Sequence, residues 1–195
     1  GVRLLRRLDL GVIVVTNQSG VNRGFFDAAR LEAVHERLAG LLADEGTRLD
    51  GIYACPHRPD EACACRKPLP GLLWRAAREH SFEPAQAFVV GDKPCDIDLG
   101  RKAGAATILV RTGHGRAYAS DPRLGANYIV ADLYAAAHVI RARLTQRALS
   151  ARLNLPARRA HAHAHALPAG GRQAPPCSRL TPHPAARLHR YTARG

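Results

Sequence analysis

Four side chains with soft ligand atoms lie within eleven residues, and they constrain the fold of this chain more than any other feature. They are Cys55, His57, Cys63 and Cys65, in a Cys-Pro-His segment followed five residues later by Cys-Ala-Cys. Three thiolates and an imidazole satisfy the tetrahedral preference of zinc, and four protein ligands leave no open position for catalysis. We therefore predict a single loop folded around a structural zinc ion; the alternative is a set of unliganded cysteines.

Short apolar runs alternate with amphipathic stretches along the first 149 residues. Strands are predicted at 11–15, 51–54, 87–90, 106–110 and 128–130. Helices are predicted between Asp27 and Gly46, and at 71–80, 94–103 and 133–149. This alternation is typical of an α/β fold with a doubly wound parallel sheet.

The first long predicted helix has both a start signal and a stop signal. Asp27 is placed to cap it, and Gly46 is placed to end it. Its apolar residues recur at helical spacing, at Leu31, Val34, Leu38, Leu41 and Leu42. We expect this apolar stripe to cover the sheet.

Two segments carry groups suited to holding a phosphate. Thr16, Asn17, Gln18 and Ser19 follow a β-branched run, at the strand end where ligands of open parallel sheets gather. The second segment, Arg66-Lys67-Pro68, comes directly after the last cysteine of the metal loop; arginine suits bidentate contact, and lysine acts as a point charge. Taken alone, each segment is also compatible with an ordinary polar turn or a solvated basic pair.

A third polar segment, Gly91-Asp92-Lys93, follows another predicted strand. A carboxylate in that position can present an oxygen to Mg²⁺, which prefers hard oxygen ligands. Asp92, with Lys93 beside it, is the candidate for this magnesium site. We interpret Asp96 as a carboxylate that supports the site without binding the ion, or that begins a helix.

The charge and composition change sharply near the end of the chain. The net charge is +13, of which +8 comes from arginines after residue 150, where no acid occurs. Alanine, arginine, histidine and proline dominate residues 150–195, so we predict a disordered basic tail. Its His161, His163 and His165 could bind a metal weakly, but a compositionally biased run is the preferred interpretation.

The order of these motifs resembles the zinc-containing branch of the haloacid dehalogenase superfamily. The resemblance rests on Thr16-Asn17-Gln18-Ser19-Gly20, then Cys-Pro-His with Cys-x-Cys-Arg-Lys-Pro, then Val-Gly-Asp-Lys, and it covers residues 1–149. It implies a phosphomonoester hydrolase that uses structural Zn²⁺ and catalytic Mg²⁺. Within the branch, the likeness favours removal of the 7-phosphate from D-glycero-D-manno-heptose 1,7-bisphosphate, as in lipopolysaccharide biosynthesis, with histidinol phosphate as the alternative substrate.

The resemblance also implies roles for individual residues. Thr16 and Lys67 would stabilise the transferring phosphoryl group, and Asn17, Gln18, Ser19 and Arg66 would line the substrate site. In the family an aspartate attacks phosphorus, and a second acid two residues later protonates the leaving oxygen, within an Asp-x-Asp-Gly-Thr motif. Only Asp9 is acidic among the fifteen residues before Thr16. We therefore expect the nucleophile to lie outside these 195 residues, as in a fragment, a gene-model error or a pseudoenzyme, and we expect this chain to be inactive.

The remaining expectations concern partners and location. No apolar run is long enough to cross a bilayer and no signal peptide opens the chain, so we predict a cytoplasmic protein with no membrane partner. We expect a monomer that binds a phosphorylated sugar. The alternative from another class is a non-catalytic zinc-stabilised protein whose basic tail binds nucleic acid.

Overall fold

The structure is a computed structural model that describes residues 1–153. Its helices are α1 (Val2–Arg7), α2 (Ala28–Asp44), α3 (Gly71–His80), α4 (Pro94–Lys102) and α5 (Leu133–Leu153), with 3-10 turns at Pro84–Gln86, Gly115–Ala117 and Pro122–Leu124. Its strands are β1 (Ile13–Asn17), β2 (Gly51–Cys55), β3 (Phe88–Gly91), β4 (Ala106–Val110) and β5 (Tyr128–Val130). Each predicted strand and helix is found within a few residues of its predicted position.

All strand pairs in the described residues are parallel, which confirms the predicted fold class. They form two sheets, with the orders β1-β2 and β3-β4-β5. The sequence predicted a single sheet, whereas the structure has two, because no backbone pairing joins β1 to β3 within residues 1–153. Leu10 and Val12, which precede β1, pack against the same core cluster as Phe88 and Val90 of β3. Polar side chains near the carboxyl ends of the strands add a second connection, and these belong to the site described below.

Local signals set the ends of the helices. The Asp27 side chain accepts a hydrogen bond of 2.7 Å from the backbone N–H of Arg30, which confirms the predicted cap of α2. Gly46 follows the helix with a φ of +65°, a left-handed conformation that favours glycine. Gly104, with a φ of +72°, likewise follows α4.

The prediction that the apolar stripe of α2 covers the sheet is wrong for the described residues. No residue of α2 is buried, and Val34 and Leu41 are 55% and 46% exposed. The helix forms because its cap and its sequence propensity favour it locally. The other three residues of the predicted stripe, Leu31, Leu38 and Leu42, are half-buried.

The core divides between the two sheets. The larger cluster joins α1, β4 and α5 through Leu5, Ile108, Val110, Ala136, Ala137 and Ile140. The second lies between β2 and α3, where Tyr53 and Cys55 pack against Leu72 and Ala76. Cys55 therefore belongs both to this core and to the metal loop, so the packing fixes one end of that loop.

The predictions for residues 150–195 fall largely outside the described residues. This applies to the disordered tail, to its histidines and to nucleic-acid binding. α5 continues to Leu153, four residues beyond its predicted end near Leu149. No helix in residues 1–153 is both long and apolar enough to cross a membrane.

Candidate functional site

The four predicted metal ligands converge on one point. Their ligand atoms all lie within 4.8 Å of one another. The Sγ atom of Cys55 is 3.1 Å from Cys65 Sγ and 3.9 Å from Cys63 Sγ, and His57 Nδ1 is 3.2 Å from Cys65 Sγ. Ligands about 2.3 Å from a tetrahedral ion stand roughly 3.5 to 4 Å apart, so this cluster needs only small shifts to enclose a metal.

The protonation of the three thiols depends on their surroundings. Burial raises the pKa of Cys65 to about 12, and its hydrogen bond to Cys55 acts in the same direction. Burial also raises the pKa of Cys55. At Cys63 burial again acts to raise the pKa, but backbone N–H groups of Arg66 and Cys65 together bring it below its ordinary value. The raised pKa values favour protonated thiols at Cys55 and Cys65, and a metal has to displace these protons.

Hydrogen bonds to backbone carbonyl groups of Cys55 and His57 connect the metal loop to the phosphate-binding segments predicted from the sequence. The guanidinium of Arg66 donates from Nη1 to the carbonyl oxygen of His57 over 3.0 Å. The backbone N–H of Gln18 donates to the carbonyl of Cys55 over 2.7 Å, one step beyond the β1–β2 pairing. A loop closed by a metal thus fixes both neighbouring segments.

The side chains at the end of β1 are held in specific contacts. Gln18 Nε2 donates to the hydroxyl oxygen of Thr16 over 3.1 Å. Asn17 makes two hydrogen bonds to the peptide of Lys67: Oδ1 accepts from its N–H at 3.0 Å, and Nδ2 donates to its carbonyl oxygen at 3.1 Å. Thr16 and Asn17 belong to the strand rather than to the loop that was expected to begin there.

The ammonium group of Lys67 lies between the two sheets. It donates to the carbonyl oxygen of Val15 at 2.6 Å and pairs with Asp96 Oδ1 at 2.8 Å. Both side chains are largely buried, at 14% and 8% exposed. A lysine ammonium has three N–H donors, and residues 1–153 engage two of those of Lys67, so one stays available to a ligand within the described part of the chain.

Asp96 joins this lysine to the second polar loop. Its Oδ2 accepts from the backbone N–H of Asp92 at 3.2 Å and from that of Lys93 at 3.0 Å. The carboxylate thereby satisfies donors at the start of α4, where negative charge is favoured. Asp96 thus lies in the first turn of a helix, which is one of the two roles expected of it, while its support for a metal site stays a prediction.

One element of the site was missed at the sequence level, the loop that follows β4. The backbone N–H of His114 donates to Asp92 Oδ2 over 2.9 Å. Gly113, with a φ of +58°, lies so close that a Cβ there would clash with the same carboxylate oxygen. A signal existed, because the Thr-Gly-His-Gly run starts two residues after a predicted strand, at the sheet edge where the other candidates lie.

The structure brings some predicted residues together and leaves others apart. Asn17, Lys67, Asp96 and Asp92 form one connected set, whereas the Thr16 side chain bonds to Gln18. The Ser19 and Lys93 side chains make no hydrogen bond or ion pair within residues 1–153, and Lys93 is exposed. Asp9 follows helix α1 with a φ of +57°, which confirms its predicted place near a helix end rather than at a strand end.

Comparison with known proteins gives consistent matches. A family profile described as HAD-hydrolase-like matches residues 64–136. The D-glycero-beta-D-manno-heptose-1,7-bisphosphate 7-phosphatase of Bordetella bronchiseptica is 46% identical over 112 residues, which cover 57% of this chain and 63% of that protein. The enzyme of the same name from Pseudomonas aeruginosa is 39% identical over 129 residues, covering 66% of this chain and 72% of that protein. The chain thus spans less than two thirds of the first of these relatives.

Solved structures agree with the sequence matches. The crystal structure of D,D-heptose 1,7-bisphosphate phosphatase from B. bronchiseptica, complexed with magnesium and phosphate, matches with a TM-score of 0.68 and 40% identity, covering 73% of this chain and 80% of that one. The Burkholderia thailandensis phosphatase of the same name matches with a TM-score of 0.56 and 30% identity, over 71% of this chain and 80% of that one. The chain therefore belongs to the haloacid dehalogenase-like hydrolases, in the family of the D-glycero-β-D-manno-heptose-1,7-bisphosphate 7-phosphatases.

Proposed function

We propose that this chain forms the phosphate- and metal-binding part of a magnesium-dependent phosphatase that removes the 7-phosphate of D-glycero-D-manno-heptose 1,7-bisphosphate. The observation that carries the proposal is the position of the Lys67 ammonium. It contacts Val15 at the end of β1 and Asp96 at the start of α4, and so lies between the two polar loops. A buried cation with a spare donor at this edge suits a phosphoryl group.

Thr16 and Lys67 are proposed to stabilise the transferring phosphoryl group. Because Gln18 donates to Thr16 Oγ1, the hydroxyl hydrogen of Thr16 is left to donate to a phosphoryl oxygen. Lys67 would contribute its third N–H and its positive charge. Ser19 and Arg66 are proposed to line the substrate site, with Arg66 oriented by its hydrogen bond to the carbonyl of His57.

Asp92 is proposed as the magnesium ligand. Its Oδ2 accepts from His114, whereas Oδ1 accepts no hydrogen bond from residues 1–153 and is left for the ion. When bound, Mg²⁺ would neutralise phosphoryl charge and orient the phosphate. Lys93 is adjacent to Asp92 in sequence. Asp96 accepts hydrogen bonds from the backbone N–H groups of both residues, and so it would hold Asp92 in place without contacting the ion.

The metal loop is proposed to hold zinc in a structural role. The donor set of Cys55, His57, Cys63 and Cys65 matches a closed tetrahedral zinc site. The ion would set the backbone from which Arg66 and Lys67 extend. It would take no part in the chemical step, because all four positions are filled by protein.

The nucleophile is proposed to lie outside these 195 residues. Asp9 is the only acid before Thr16. It follows helix α1 and precedes β1, whereas the phosphate-binding segment lies at the other end of β1. Asp96 is engaged by Lys67 and by two backbone N–H groups. Neither carboxylate suits in-line attack on a phosphate held by Thr16 and Lys67.

A phosphate-release assay tests the proposal. The chain is assayed as it stands and with an Asp-x-Asp-Gly-Thr strand segment added before Gly1, each with Zn²⁺ and Mg²⁺. We expect magnesium-dependent release from heptose 1,7-bisphosphate by the extended chain alone. Faster phosphate release from histidinol phosphate than from heptose 1,7-bisphosphate would favour the alternative substrate and would still identify the chain as part of a phosphatase. Turnover by the unextended chain would contradict the proposal on the nucleophile.

Location and assembly remain predictions from the sequence. We propose a cytoplasmic monomer, in keeping with a sugar-phosphate substrate. Cell fractionation and size-exclusion chromatography with light scattering would check these two points. Recovery in the membrane fraction, or a mass twice that of the chain, would contradict them.

A further inference from the structure

The Asn17 side chain is used differently from the substrate contact expected of it. Both polar atoms of its amide bond to the backbone of one residue, Lys67, which lies 50 residues away in sequence. Asn17 Oδ1 accepts from the N–H of Lys67 at 3.0 Å, and Asn17 Nδ2 donates to its carbonyl oxygen at 3.1 Å. These two bonds use one of the two N–H donors and one of the two acceptor positions of the amide, and they fix the orientation of the side chain towards the loop after Cys65.

Lys67 is therefore held at two points along its length. Asn17 fixes its backbone, while the carbonyl of Val15 and the carboxylate of Asp96 fix its ammonium. Val15 and Asn17 both belong to β1, so one strand sets both ends of the lysine. The lysine side chain has four rotatable bonds, and fixing both ends removes most of its conformational freedom.

We propose that Asn17 is a positioning residue that directs the Lys67 ammonium at the phosphoryl group and does not bind the substrate itself. This inference rests on the proposed function of the same site. Two neutral hydrogen bonds hold the peptide of Lys67 in place. Without them the loop after Cys65 can shift, and the spare N–H of Lys67 is no longer aimed at the ligand.

The main test is a double-mutant cycle on the full chain loaded with Zn²⁺ and Mg²⁺, with inorganic phosphate as the probe. Isothermal titration gives the Kd for the wild type, Asn17→Ala, Lys67→Ala and the double variant. We expect Asn17→Ala to weaken binding about tenfold and to add no further loss in the Lys67→Ala background. Losses that multiply in the double variant would overturn the proposal, because Asn17 would then bind phosphate independently of Lys67.

One further variant separates positioning from general stability. Asn22→Ala is the matched control: this exposed asparagine also reaches the loop region, donating to Glu61 Oε2 over 2.9 Å. It should leave the Kd unchanged, and a loss equal to that of Asn17→Ala would overturn the proposal.

Hydrogen exchange at the Lys67 amide tests the positioning without any ligand. The N–H of Lys67 donates to Asn17 Oδ1, so its exchange should speed up at least tenfold in Asn17→Ala while amides of β4 keep their rates. Unchanged exchange would overturn the positioning role whatever the chain binds. A wild-type chain that fails to bind phosphate, but shows the faster exchange in the variant, would instead contradict the proposed function alone.

Discussion

Lys67 and Asp96 form an ion pair of 2.8 Å that joins the segment after the metal loop to the start of α4. The lysine reaches the pair from the metal loop, and the aspartate reaches it from the loop that carries Asp92. Because the two sheets are not paired through their backbones in the described residues, this contact is a principal link between them. The same pair places a cation beside the proposed magnesium ligand, so fold and site depend on one interaction.

Replacing Asp96 should destabilise the protein. Asp96→Asn leaves the Lys67 ammonium largely buried without its counter-charge and weakens the hydrogen bonds to the backbone of Asp92 and Lys93. We expect the free energy of unfolding to fall by about 3 kcal/mol, measured by urea denaturation. Asp98→Asn is the control, since this side chain is 46% exposed and its arginine contact is 3.6 Å. Equal losses in both variants would contradict the prediction.

Removing the metal should loosen the loop that it closes. Chelation removes the ion that would hold Cys55, His57, Cys63 and Cys65 together, and the backbone that presents Arg66 loses its anchor. We expect a lower melting temperature that zinc restores, and a zinc content reduced severalfold in Cys63→Ser. Cys95→Ser, which alters a cysteine outside the cluster, should bind zinc normally. Full zinc content in Cys63→Ser would contradict the assignment of that ligand.

A methyl group at Gly113 should weaken magnesium binding. Gly113→Ala forces a Cβ into Asp92 Oδ2 and adds a left-handed backbone conformation that alanine rarely adopts. We expect about a tenfold weaker metal affinity, measured by Mn²⁺ titration with electron paramagnetic resonance. Gly24→Ala is the matched control, because its φ of +72° imposes the same backbone cost in open space. Comparable losses at both positions would show that strain alone, and not contact with Asp92, explains the effect.

Tyr53 should make stability fall at alkaline pH. Burial, and secondly its hydrogen bond to Glu79, raise the pKa of its phenol from 10.0 to about 12. The folded state therefore holds the proton more tightly than the unfolded state does. Its contribution is complete below pH 10 and is lost as the pH rises towards 12.

Urea unfolding between pH 8 and pH 11 checks this prediction. The decline above pH 10 should be smaller in Tyr53→Phe, which cannot ionise. Tyr134→Phe, at a position that is 59% exposed, should decline like the wild type. Identical alkaline declines in the wild type and Tyr53→Phe would contradict the assigned cause.

The sequence predicted three features because they depend on residues close together in the chain. These are the spacing of the metal ligands, the polar segments after strands, and the alternation of strands and helices. Metal ligands so close in sequence need only one loop to converge, as Cys55 and Cys65 do. Helix caps such as Asp27 depend on residues within one turn. The carboxyl ends of parallel strands meet at one edge, which is why Thr16, Lys67 and Asp92 could be grouped before the structure was known.

Only the tertiary structure determined which hydrogen bonds and packing contacts these residues make with one another. A sequence pattern carries no information on which groups a polar side chain engages. Asn17 was predicted to line the substrate site, which stays a prediction, and only the structure shows its amide bonded to the backbone of Lys67. Two further features were also missed, because both depend on residues distant in sequence. These are the exposed apolar residues of α2 and the contact of Gly113 and His114 with Asp92. Local propensity and spacing determine which elements form, whereas packing between residues distant in sequence determines which faces are covered and where each donor points.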